Sequence, residues 1–149
     1  MAKSLELFFV DGKPDGMLTA RVFIWTGHVL VVPRTQLASG LTRSESGYTG
    51  VYVLLGESEA GTKAYIGESE DISKRIRSHD ANKDWWSTAI FVTSSGNDLH
   101  KAHVQYLESK LVATAKQAGR CELDNSTVPG LPSLSEASIA NMETSCQSC

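Results

Sequence analysis

The chain has 149 residues, of which 41% are hydrophobic and 21% charged, the balance of one globular domain with a real core rather than of a disordered segment. Its net charge of −3 argues against a tight, non-specific nucleic-acid binder, although residues 63–120 alone carry a surplus of +2, against −1 before them and −4 after them. No apolar run is long enough to span a bilayer and the first five residues show no secretory signal, so a cytoplasmic protein without membrane association is expected.

Ser4 to Val10 alternates and reads as a strand, ended by the turn-rich run 11–16. Residues 17–25 fit helix or strand. His28 to Val32 is apolar and β-branched, a strand stopped by Pro33. Thr35 is placed to cap a short helix through about Arg43, and residues 44–49 are turn-like. Gly50 to Leu55 predicts a buried strand, residues 56–63 a polar link and residues 64–67 a second short strand, together a hairpin. Asp71 or Ser69 caps a helix carrying Ile72 and Ile76 on one side and running to about His79, with residues 81–84 as its breaker. Thr88 to Thr93 is a third strand, entered by Trp85-Trp86, and residues 94–97 form a turn. Asp98 is placed to cap the longest helix, in which Val104, Leu107, Leu111, Ala115 and Ala118 keep helical spacing and Gly119 is a fitting stop. Pro129, Gly130 and Pro132 mark a loop, and Ser135 to Met142 fits a last short helix.

The expected fold is α/β: a small central, mostly antiparallel sheet flanked by helices. Residues 1–47 are expected to form an N-terminal αβ extension packed on a module spanning 48–126. Residues 127–149 are expected as a C-terminal tail or the truncated start of a further region.

Three cysteines suggest no disulfide framework. Cys121 is isolated, and Cys146 with Cys149 supplies two ligands where a structural zinc site needs four. His100 and His103 share a helix with Glu108, but Glu108 lies off their line and the spacing is not the H-E-x-x-H of a zinc protease. Trp85-Trp86 could stack on bases, although two tryptophans at a strand entrance more often pack in a core.

Five positions carry a stronger pattern. Gly50-Val51-Tyr52 is followed, after twelve intervening residues, by Tyr65-Ile66-Gly67. Arg75 comes eight residues after Gly67, and Glu108 lies on the long helix in Tyr106-Leu107-Glu108. Arg75 offers a planar donor fork suited to phosphate, or belongs to the solvated basic face Lys74-Arg75-Ile76-Arg77. His79, four residues on, shares its face and is either a proton carrier or phosphate contact, or a helix-end histidine without a role. Glu108 is either a solvated helix glutamate or a carboxylate directed at the packed face with Val104, Leu111 and Ala115. A single carboxylate suits Mg²⁺, which keeps most of its waters. Tyr52 and Tyr65 lie on adjacent strands, either as core aromatics or as phenols of the same site.

The paired tripeptides with Arg75 and Glu108 resemble the GIY-YIG nuclease family over roughly residues 48–126, with GVY as the first half-motif. Residues 1–47 are similar to the N-terminal extension of a bacterial subgroup. The resemblance implies a metal-dependent endonuclease that hydrolyses DNA phosphodiester bonds. It implies Mg²⁺, with Mn²⁺ as a substitute, held by Glu108. Tyr52 would be the base, Tyr65 an orienting donor, Arg75 the phosphate contact and His79 an aid to proton transfer or phosphate binding. Gly50 and Gly67 would allow close packing, and Asn125 would tie the chain after the long helix to the sheet. With one site per module, a double-strand cut takes a dimer or two encounters. The alternative is a nucleic-acid binding or regulatory interaction module that keeps the fold with weak or lost catalysis.

Overall fold

A computed structural model describes residues 5–13, 15–22, 27–94 and 96–125. Among these, seven strands join in one sheet: Leu5–Phe9 (β1), Leu18–Val22 (β2), Gly27–Pro33 (β3), Gly50–Ser58 (β4), Gly61–Ser69 (β5), Trp86–Ser94 (β6) and Glu122–Leu123 (β7). Their order is β1-β2-β3-β6-β4-β5-β7, and all neighbours are antiparallel except β5 and β7. The helices are Leu37–Gly40 (α1), Ile72–Asn82 (α2) and Lys101–Ala118 (α3). None of them is long and apolar enough to cross a membrane.

The alternation of side chains along the central strands divides the core into two layers. Leu30 and Val32 of β3, Tyr52 and Leu54 of β4, and Ala89 and Phe91 of β6 face Ile72 and Ile76 of α2, with Met17 and Leu37 completing that layer. Val51, Ile66 and Val92 face the other way, against Val104, Leu107 and Val112 of α3. Covered on both sides, β4 is nearly continuous in its burial, which accounts for its unbroken apolar run. Trp86 is a core residue of the α2 layer, and Trp85 packs partly against it. Residues before and after position 48 share this sheet: β3 pairs with β6 from Gly27↔Ser94 to Pro33↔Thr88.

Several sequence expectations are corrected. The polar link at 56–63 is mostly strand: β4 and β5 pair as far as Ser58↔Gly61, so only Glu59 and Ala60 form the turn. Glu57 and Thr62 are polar because they are exposed, and Lys63 because its ammonium group meets the Asp124 carboxylate, while their backbones remain in the ladder. Thr35 caps nothing. It lies inside a 3-10 turn, Arg34–Gln36, that precedes the single turn of α1. The reason is Arg34, whose guanidinium is held by the Asp80 side chain and the Asp80 and Trp86 carbonyls. The run 44–49 contains a second 3-10 turn, Ser44–Gly47. Asp71 is the cap of α2, accepting from the Ser73 N–H at 3.1 Å, and the helix continues to Asn82. Asp98 does not cap α3, because its carboxylate accepts from Ser94 Oγ, which in turn accepts from the Asp98 N–H at 2.9 Å. His100 is the cap instead, its N–H donating to His103 Nδ1 at 3.2 Å. Gly119 closes α3 in the left-handed conformation, and Ala118 before it is exposed rather than part of the buried stripe. The short helix expected at 135–142, the loop at 129–132 and the Cys146–Cys149 pair lie outside the described residues.

Candidate active site

Tyr52 and Tyr65 project from neighbouring strands on the α2 side of the sheet. The register pairs Tyr52 with Gly67 and Leu54 with Tyr65, so the phenols are diagonal neighbours. Gly67 makes this arrangement possible. A Cβ there would lie 2.5 Å from Tyr52 Cζ, so the Tyr52 ring occupies the space where any other residue has a side chain. Gly50 is constrained in a similar way, since a Cβ there would press on the Val92 carbonyl and on Ile72 Cδ1.

Helix α2 supplies the third ring. Ile72 and Ile76 anchor it in the core, which turns Arg75 and His79 along one adjoining row. His79 Nε2 lies 2.8 Å from the Tyr52 hydroxyl, and the His79 ring is 4.9 Å from that of Tyr65 and 5.4 Å from that of Tyr52. Arg75 lies at the exposed side of the cluster, close to both phenolic oxygens, which raise the pKa of its guanidinium. Burial, then the charges of Arg75 and Lys83, push the His79 imidazole down to about 4. It is therefore neutral at pH 7. Burial and the Tyr65 phenol beside it push the Tyr52 hydroxyl well above the usual tyrosine range, with Arg75 opposing. Tyr52 thus keeps its proton and shares it with His79.

Glu108 comes from α3, on the other face of the sheet. Burial, then repulsion from Glu68, push its carboxyl up to about 7, while Lys101 and Arg75 oppose the shift. Glu68 follows Gly67 on β5. One of its oxygens lies 3.1 Å from Lys101 Nζ, and the other, Oε2, is buried with no hydrogen-bond partner among the described residues. A carboxyl raised in part by a neighbouring carboxylate, with an unpartnered oxygen on that neighbour, suits a divalent cation. Among the described residues no group of three or more His, Cys, Asp or Glu could hold a metal. His100 and His103 lie against each other at the start of α3, with ring centroids 5.3 Å apart.

Asn125 is bound to the backbone of Ile66 at the open side of β5: Oδ1 accepts from the N–H at 3.0 Å and Nδ2 donates to the carbonyl at 2.6 Å. All of Tyr52, Tyr65, Arg75 and His79 thus form one contiguous group, Glu108 lies within reach of its charge, and Gly50, Gly67 and Asn125 are framework. Sequence reasoning missed Glu68, Lys83 and Asp124. Lys83 had a signal, since Arg75, His79 and Lys83 recur at four-residue intervals. Glu68 had a weaker one, the strand alternation that turns it toward the α3 side with Ile66. No family model, curated protein or solved structure matches the chain.

Proposed function

We propose that this chain is a metal-dependent endonuclease of the GIY-YIG kind, hydrolysing phosphodiester bonds in DNA. The observation that carries the reading is the grouping of Tyr52, Tyr65, His79 and Arg75 around a 2.8 Å Tyr52–His79 contact, with Glu108 within reach of the arginine charge. Arg75, exposed and pinned beside two phenols, binds non-bridging phosphate oxygens and stabilises the charge that grows on them during attack. Neutral His79 accepts a proton through Tyr52, which takes one from the attacking water as it gives up its own. An incoming phosphate offsets the charges of Arg75 and Lys83 that depress His79, so substrate binding itself makes the imidazole a better base. Tyr65, half-buried between Arg75 and His79, orients the water. Glu108, with Glu68 beside it, would hold Mg²⁺ or Mn²⁺, which would supply positive charge at the phosphate and a more acidic water.

A second reading, a nucleic-acid binding or regulatory module without catalysis, is favoured by the complete burial of Tyr52 at 0% exposure, which closes its hydroxyl to bulk solvent. Plasmid nicking separates the two. Wild type is expected to nick with Mg²⁺ or Mn²⁺ and not in EDTA. Glu108→Ala abolishes the cut, and Arg75→Ala lowers it by roughly 10²–10³ while DNA binding falls less. Thermal melts run alongside confirm that both variants fold. Nicking that survives in EDTA or in Glu108→Ala overturns the endonuclease reading, and DNA binding without nicking establishes the second one.

A further inference from the structure

Beyond the tyrosines, on the α2 side of the sheet, cations and aromatic rings alternate. Arg75 lies beside the Tyr65 phenol. Lys83 Nζ is 4.6 Å from the centre of the Tyr65 ring and 2.7 Å from Asp124 Oδ2. Lys63 Nζ is 3.7 Å from the other oxygen of the same carboxylate and 5.0 Å from the centre of the Trp85 ring. The contacts run unbroken from Arg75 to Trp85. Arg75 is exposed, and Tyr65, Lys83, Lys63 and Trp85 are each partly exposed.

We propose that this strip is the track of one unpaired nucleic-acid strand, with phosphates at Arg75, Lys83 and Lys63 and a base stacked on Trp85. Three cations against one carboxylate concentrate positive charge on a chain that is negative overall. Rings between cations are the pattern that holds a single strand, because every base offers a stacking face while the backbone meets the charges. A duplex keeps its bases stacked inside and leaves the rings unused. Asp124 occupies the position a phosphate would take, since its two oxygens each face one ammonium group. It holds both lysines in place before a strand arrives, which reduces the side-chain freedom lost on binding. The strand displaces it.

This assignment rests on the endonuclease reading for its biological sense, because it leads a strand to Arg75, but binding is measurable without cleavage. The experiment is fluorescence anisotropy in EDTA across a salt series, using the full chain with a labelled oligothymidylate and with a blunt duplex of equal length. The single strand is expected to bind more tightly than the duplex. Lys83→Gln and Lys63→Gln should each make the slope of log affinity against log salt shallower by about 0.7. Trp85→Leu should weaken binding about tenfold. Asp124→Asn should tighten it, a gain of function that misfolding does not mimic. Equal or tighter duplex binding, slopes unchanged in both lysine variants, or no tightening in Asp124→Asn overturns the proposal. Strand binding that follows this pattern without any metal-dependent nicking would sink the endonuclease reading and leave the track standing. Nicking by a chain whose lysine variants bind as wild type would do the reverse.

Discussion

His79 is an imidazole held neutral by its surroundings, and that leaves a thermodynamic trace. Its pKa is about 4 in the folded chain against an ordinary 6.5. The folded state therefore binds fewer protons than the unfolded one between these values. The contribution of neutral His79 is complete above pH 6.5 and is lost as pH falls through 6.5 towards 4, by about 3 kcal/mol in all. Glu108 acts in the opposite sense. Its carboxyl is raised to about 7, so the stability it confers is present below pH 4.5 and lost as pH rises toward 7. The two partly cancel in the wild-type profile. The readout is then the difference between wild type and His79→Gln in urea unfolding: the gap should be widest at and above pH 6.5 and narrow steadily toward pH 4. A gap that does not change with pH would mean that the His79 pKa is the same in the folded and the unfolded chain, and a gap that widens toward low pH that the folded chain favours the imidazolium.

At the scale of elements, Asn125 does for Ile66 what an adjacent strand would do. Its amide completes both backbone bonds where β7 has already ended. Asn125→Ala should cost about 1–2 kcal/mol, because it uncovers two partly buried backbone groups. In hydrogen exchange the Ile66 amide should lose protection while Val53, inside the β4–β5 pairing, keeps it. Unchanged protection at Ile66 would show that the amide bond is not maintained in solution. The placement of Tyr52 and Tyr65 on adjacent strands and of Arg75 and His79 on one helix row was legible from apolar runs and four-residue spacing, whereas a tie of Asn125 to the sheet was expected only from a resemblance. Other features were not legible, for identifiable reasons. The length of the β4–β5 hairpin was hidden because polar Glu57, Thr62 and Lys63 look like loop residues while their backbones stay paired. The cap of α3 was misplaced because Ser94, four residues earlier, claims the Asp98 carboxylate. Lys83 lies one residue past the end of α2, so the pattern that marks a helix face had already stopped being read.

At the scale of the whole molecule, the described residues between 17 and 41 are part of the same core as the candidate site. Leu30, Val32 and Leu37 pack in the layer that contains Tyr52, Trp86 and Phe91. The β3–β6 pairing that makes this layer joins segments about 60 residues apart, a contact that local pattern does not announce. A chain lacking residues 1–47 should leave Phe91 and Trp86 uncovered and the ladder of β6 open. It is expected to keep helical far-ultraviolet dichroism, lose near-ultraviolet dichroism and bind a hydrophobic dye. A sharp thermal transition in that truncated chain would show that residues 48–149 form an autonomous unit.

Arg75 and Glu108 hang from helices on opposite faces of one sheet, and the charge of Arg75 still lowers the pKa of Glu108. The sheet therefore works as the frame of a caliper, with each helix carrying one jaw. The opening between the jaws is set by how far each helix stands off the strands, which depends on Leu54 on the α2 side and on Val51 and Ile66 on the α3 side. A larger side chain at any of these sites moves its jaw by a fraction of an ångström without touching the chemistry. Interiors packed this closely transmit such a displacement instead of absorbing it. The separation of guanidinium and carboxylate is thus set from the core, by residues that lie beneath the two helices.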